Sequence, residues 1–104
     1  MMPKDPAILD LLTRLELPRR GWMIVDHWDG DLTAIGIASA ADSRRLVYVA
    51  TVEERKDVYY YECEAPNGSE LTEYVVVETG HDVDFESLEE ALQRHLEGAK
   101  EGGQ

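Results

Sequence analysis

Apolar residues recur along the chain with two different spacings, which predict a helix at each end and strands between them. Near the N-terminus, four apolar residues share one helix face: Ile8, Leu11, Leu12 and Leu15. Their i, i+3, i+4, i+7 spacing predicts a helix over residues 5–17, capped by Asp5 and stopped by Pro18. A second amphipathic pattern predicts a helix over residues 85–97, capped by Asp84.

Between these helices, five runs rich in β-branched and aromatic residues alternate with polar or glycine-containing segments. The predicted strands cover residues 22–28, 32–38, 46–52, 58–64 and 71–78. Short connections between consecutive strands favour antiparallel neighbours, so we expect a meander. Asp29-Gly30 is the favoured dipeptide of a two-residue hairpin turn and would place Ile24 opposite Ile35. The same register would put small residues on one side of the hairpin and the tryptophans on the other.

Each amphipathic helix needs a sheet face to cover, and short connections let both helices lie on the same face. We therefore predict an α+β fold: an antiparallel meander of about five strands with an N-terminal and a C-terminal helix packed on one face. The small-residue side would let the helices approach closely, leaving the aromatic side open. The alternatives are one helix on each face, or a sheet that curls around the aromatic residues. Residues 1–104 would form a single domain, with residues 1–4 and 99–104 frayed.

Charge is distributed unevenly along the chain. The net charge is −12, which disfavours nucleic acid and anionic membrane as partners. Residues 53–104 hold fifteen acidic and four basic residues, a net charge of −11. Seven glutamates come from consecutive strands and turns of that half: Glu53, Glu54, Glu62, Glu64, Glu70, Glu73 and Glu78. Their clustering would suit a basic partner, although solvated strand faces have the same pattern.

Three groups of residues are candidate sites of chemistry. Segment 26–31 holds three carboxylates and a histidine, but its spacing is that of a turn rather than a calcium loop. Segment 80–84 places a histidine beside two carboxylates, which helix capping also explains. Cys63 could act as a nucleophile with a histidine, yet Glu62 and Glu64 beside it would disfavour the thiolate. We predict no catalytic residue, no cofactor and no metal ligand.

The remaining features favour a binding protein over an enzyme. The single cysteine and the lack of a signal-peptide pattern indicate a cytoplasmic protein without disulfides. In size, acidity and mixed α/β layout, the chain resembles small bacterial immunity and antitoxin-type proteins that neutralise basic nucleases; the resemblance includes no motif and transfers no residues. The expected interaction residues lie on the aromatic side of the sheet and its acidic border: Trp22, Trp28, Asp29, Asp31, Tyr48, Tyr60, Glu62 and Glu64.

Two alternatives stay open. An enzyme or small-ligand domain would use a sheet pocket near Asp26 and His27 lined by tyrosines. A homodimer would cover the open sheet face with a second copy of the chain. The leading hypothesis remains a small inhibitor or binding module that presents aromatic and acidic groups to a basic protein.

Overall fold

The computed structural model describes residues 4–25, 32–42, 44–52, 55–66 and 74–97. Its elements follow one another as α1 (Pro6–Leu15), α2 (Leu17–Arg20), β1 (Trp22–Ile24), β2 (Ala34–Ser39), β3 (Leu46–Val52), β4 (Arg55–Pro66), β5 (Tyr74–Val83) and α3 (Phe85–Leu92). A π-helical segment, Gln93–Glu97, continues α3. No helix in these ranges has the length and apolar character needed to cross a membrane.

The first helix forms where the apolar spacing predicted it, but it ends earlier. Three of its apolar residues are fully buried: Ile8, Leu11 and Leu15. Asp5 takes the N-cap position, although its side chain makes no capping hydrogen bond. The helix ends at Leu15 because Glu16 adopts a left-handed conformation, with a φ of 52°. Pro18 then lies in the first turn of α2, so it does not end α1 directly.

The five strands form a single antiparallel sheet in chain order, which confirms the predicted meander. The register between β1 and β2 differs from the prediction, because Ile24 pairs with Ile37 instead of Ile35. A shift of two residues leaves every side chain on its predicted face, since side chains alternate with a period of two. The proposed turn at Asp29 and Gly30 lies outside the described residues.

Strand β5 extends five residues beyond the predicted end and contains two irregularities. Its pairing with β4 shifts register at two places, and at each place the additional residue belongs to β5. One irregularity leaves Val77 without a partner between Glu78 and Val76. The other lies near Asp82, which has a φ of 52°. Bulges of this kind let a strand continue through a sequence that resembles a turn.

Both long helices pack on the same face of the sheet, as predicted. Residues of α1 and α3 share one buried cluster with the alternating residues of β2, β3 and β4: Ile8, Leu11, Leu15, Leu88, Leu92, Ile35, Ile37, Val47, Val49 and Cys63. Full burial of one such aliphatic side chain contributes about 1.5–3 kcal/mol. The covered face is the one with the large side chains, so the expectation that helices cover the small-residue face is wrong. Burying isoleucine and valine removes more apolar area from water than burying alanine and glycine.

The C-terminal helix is held at both ends by specific hydrogen bonds. The carboxylate of Asp84 accepts a hydrogen bond from the backbone N–H of Ser87 at 2.8 Å, which confirms the predicted cap. At the other end, the guanidinium of Arg45 donates to the carbonyl of His95 at 2.8 Å. The imidazole Nε2 of His95 donates in turn to the carbonyl oxygen of Glu64, also at 2.8 Å. The π-helical segment is thereby attached to β4 and to the residue that precedes β3.

Candidate interaction surface

On the sheet face opposite the helices, the far face, most described residues of β3 to β5 are half-buried or exposed; Leu46 at the start of β3 is an exception, at 2% exposed. The described helices place their buried side chains in the core on the other face. On the far face, Tyr48 and Tyr60 are half-buried and His81 is exposed. Ala34 and Ala38 of β2 are fully buried on that side, so the opening does not extend to β2.

Three aromatic rings from three neighbouring strands form a row on the far face. The ring centroids of Tyr48 and Tyr60 are 6.2 Å apart, with an interplanar angle of 73°. Those of Tyr60 and His81 are 4.8 Å apart, at 55°. These separations lie within the range of about 4.5–7 Å in which aromatic rings attract each other. The antiparallel register explains the row, because Tyr48 and Tyr60 lie diagonally across the β3–β4 pair.

Two carboxylates of β4 lie beside this row. Glu62 pairs directly with Tyr48, and Glu64 follows on the same face. The hydroxyl of Tyr60 donates a hydrogen bond to the carboxylate of Glu62. That hydrogen bond, together with burial and the negative charge of Glu62, raises the pKa of Tyr60 to about 12. Tyr60 therefore keeps its proton at neutral pH and orients the Glu62 carboxylate. We call Tyr48, Tyr60, His81, Glu62 and Glu64 the aromatic–acidic patch.

Exposed apolar side chains border the patch on β5. Tyr74, Val75, Val76 and Val77 are all exposed, and Val77 is the most exposed of them at 57%. Val76 pairs with Glu64, which places this valine on the far face beside the carboxylate. Strand β5 is the last strand in the sheet order, so its outer edge pairs with no strand among the described residues. The patch therefore combines rings, carboxylates and an apolar margin, which is the mixture found in protein interfaces.

The structure brings together four of the eight residues that the sequence indicated for interaction. Tyr48, Tyr60, Glu62 and Glu64 lie in the patch. Trp22 does not, because it is only 4% exposed and belongs to the helix-covered core. Its predicted exposure is wrong, since the helices cover the opposite face from the one expected. Trp28, Asp29 and Asp31 lie outside the described residues, as do Asp26 and His27 of the alternative pocket.

Sequence reasoning missed His81 as a member of the patch. From the sequence, segment 80–84 is interpreted as a helix N-terminus at which His81 beside two carboxylates could form an acid–base pair or a metal site, with helix capping as the simpler explanation. In the structure these residues belong to β5, and the irregularity at Val77 shifts the register so that Gly80 pairs with Tyr61 and His81 lies beside Tyr60. The pairing of β4 with β5 was predicted, but the bulge carries no sequence signal that would have aligned these two rings.

The histidine and the two aspartates of segment 80–84 do not converge on a metal site. Asp82 pairs with the guanidinium of Arg55 at 3.0 Å, and Asp84 caps α3. Among the residues that the structure describes, no group of three or more histidine, cysteine or carboxylate side chains is placed to hold a metal ion.

Cys63 is buried in the core and is not positioned as a nucleophile. Burial, and secondarily the negative charge of Glu78, raises the pKa of the Cys63 thiol to about 12. Glu62 and Glu64, its neighbours in the sequence, point to the far face and are not the cause of the raised pKa. His95 is buried as well, and burial lowers its pKa. A thiol that stays protonated cannot attack a substrate at neutral pH.

A polar cluster closes the core at the β5 side. The hydroxyl of Tyr61 donates to the carboxylate of Glu78 at 2.7 Å, and the guanidinium of Arg94 donates to the same carboxylate oxygen. Burial and this hydrogen bond raise the pKa of Tyr61 to about 12. The three side chains satisfy one another, so we assign them to stability.

Two grooves lie elsewhere on the surface. A broad groove of about 1150 Å³ lies where the start of α1 meets β3 and β4, and its lining includes Asp5, Asp10 and Asp57. An apolar groove of about 580 Å³ lies between α1, α2 and β1, and Trp22 lines it. Asp57 already pairs with Arg14, and neither groove contains a constellation of catalytic groups.

The chain was compared with known protein families, with characterised proteins and with solved structures, and it matches none of them.

Proposed function

We propose that this protein is a small binding or inhibitor module that engages a basic protein partner through the aromatic–acidic patch. The observation that carries the proposal is the row of Tyr48, Tyr60 and His81, flanked by Glu62 and Glu64, on the sheet face that the described helices leave open. Aromatic side chains supply most of the binding energy in many interfaces, and the carboxylates select a partner of opposite charge.

The charge distribution supports the same partner chemistry. The patch lies on β3, β4 and β5, and the half of the chain that holds β4, β5 and α3 carries the net charge of −11. A partner of positive charge would be attracted over about one Debye length, roughly 8–10 Å at physiological salt. Contact would then bury the tyrosine rings. We expect an association rate constant that falls about tenfold or more as salt rises from low concentration to about 0.5 M.

The experiment compares three forms of the protein as bait for proteins of the host cell. The wild-type chain is compared with the patch variant Glu62→Lys and with the matched charge variant Glu90→Lys, because Glu90 is an exposed residue of α3 outside the patch. If the proposal is right, wild type and Glu90→Lys both retain a basic protein, and added salt releases it. Glu62→Lys does not retain this protein. Retention that is equal for all three forms, or no retained basic protein, would contradict it.

Self-association is the second candidate, and the exposed valines of β5 are the observation that favours it. Val75, Val76 and Val77 would be buried if a second copy covered this edge. Light scattering at increasing concentration tests this candidate. A dimer that the substitution Val77→Lys converts to a monomer would support it, and a mass of one chain throughout would contradict it.

A further inference from the structure

Arginine side chains in this molecule already bind to aromatic rings beside carboxylates. The guanidinium carbon of Arg14 lies 4.0 Å from the ring centroid of Phe85. The same guanidinium donates to the carboxylate of Asp57 at 2.8 Å. One planar cation thus stacks on a ring and forms an ion pair at the same time.

A second arginine repeats the arrangement in a more buried position. The guanidinium carbon of Arg20 lies 5.0 Å from the ring centroid of Trp22, and its terminal nitrogen pairs with the carboxylate of Glu89. Its Nε also donates to the carbonyl of Leu15 at 2.7 Å. Both sites combine an aromatic face with an adjacent carboxylate.

The aromatic–acidic patch has the same two groups, an aromatic face at Tyr60 and an adjacent carboxylate at Glu62. All seven arginines are among the described residues, and each has a partner outside the patch. Besides Arg14 and Arg20, the pairs are Arg19 with Glu16, Arg44 with Asp42, Arg45 with the carbonyl of His95, Arg55 with Asp82, and Arg94 with Glu78. The hydroxyl of Tyr60 fixes the orientation of the Glu62 carboxylate beside the rings.

We propose that the patch binds an arginine side chain of the basic partner, with the guanidinium over the row of Tyr60 and His81 and paired with the carboxylate of Glu62. This inference rests on the proposed function, for which it names the chemical group that is recognised. Arginine fits better than lysine because its guanidinium is planar and weakly hydrated, stacks on rings and forms two parallel hydrogen bonds with a carboxylate. A lysine ammonium has the charge but neither the plane nor the fork.

The test uses two peptides of equal charge, hexa-arginine and hexa-lysine, titrated calorimetrically into the full-length protein at physiological salt. Wild type is expected to bind hexa-arginine about fivefold to tenfold more tightly. Tyr60→Leu removes the ring and should abolish this preference. Glu62→Gln removes the carboxylate and should weaken hexa-arginine more than hexa-lysine. Glu90→Gln is the matched control: it removes the same charge outside the patch and should leave the preference unchanged.

The outcomes separate this inference from the proposed function. The two peptides could bind with equal affinity, while Glu62→Gln weakens both and Glu90→Gln weakens neither. That result would overturn the arginine assignment and leave the patch as a surface for basic partners. Equal effects of Glu62→Gln and Glu90→Gln would overturn both. Circular dichroism checks that Tyr60→Leu is folded, and Glu62→Gln keeps the test decisive if it is not.

Discussion

Gly80 of β5 lies directly against the ring of Tyr61 on β4. The two residues pair directly, and a Cβ atom built on Gly80 would lie 2.2 Å from the nearest ring carbon of Tyr61. Two further ring carbons would lie at 2.7 and 2.9 Å. Tyr61 is only 6% exposed and its hydroxyl is bonded to Glu78, so the ring has little room to move. Gly80→Ala is therefore expected to destabilise the protein by displacing this ring.

The size of the effect follows from three contributions. Inserting a methyl group into a packed site costs about 1–3 kcal/mol. If the ring moves, the hydrogen bond from Tyr61 to the charged Glu78 is lost, which costs about 1.5–3 kcal/mol. Alanine restricts the unfolded chain more than glycine does, which offsets about 0.4–1 kcal/mol. Because these terms overlap, we expect the free energy of unfolding to fall by about 2–4 kcal/mol.

Urea unfolding followed by circular dichroism measures this change, and a double-mutant cycle identifies its cause. In a Tyr61→Ala background the clash is absent, so Gly80→Ala should be neutral or slightly stabilising. Gly21→Ala is the control, because Gly21 has a φ of 74° and no atom near a new Cβ. Its cost comes from the backbone and should be the same with and without Tyr61. A cost of Gly80→Ala that is the same in both backgrounds, or that is below about 0.5 kcal/mol in wild type, would show that the clash with Tyr61 is not its cause.

Three further predictions concern single groups elsewhere in the fold. Burial lowers the pKa of His95, so the unfolded state takes up a proton before the folded state does as pH falls below 6.5. The free energy of unfolding should therefore fall by up to about 1.4 kcal/mol per pH unit below pH 6.5. His95→Gln should flatten this part of the plot of stability against pH. Asp84→Ala should lower the urea midpoint while Asp84→Asn retains most of it, because asparagine also accepts the hydrogen bond from Ser87. The thiol of Cys63 is buried and its pKa is raised to about 12, so at neutral pH it should react with a disulfide reagent only as fast as the protein unfolds. Reaction at the rate of an exposed thiol would refute its burial.

The sequence by itself determined the two long helices and the five strands in their order, but not α2 or the π-helical segment. Local spacing placed α1 and α3, because a helix face repeats at 3.6 residues and the apolar residues Ile8, Leu11 and Leu15 follow that period. Strand β3 was predicted with the bounds that the structure has, and Asp84 was identified as a cap. These features depend on interactions between residues close in the chain, which is the information that periodicity and capping patterns contain.

Only the tertiary structure decided which sheet face the helices cover and what the open face contains. Alternation shows which residues share a face, but both faces of the β1–β2 hairpin hold apolar residues, so the sequence alone left the choice open. Packing favoured the face with more apolar area, which buried Trp22 and left Tyr60 on the other side. The irregularity of β5 at Val77 then brought His81 beside Tyr60. Contacts between distant segments determine both outcomes, and no local pattern encodes them.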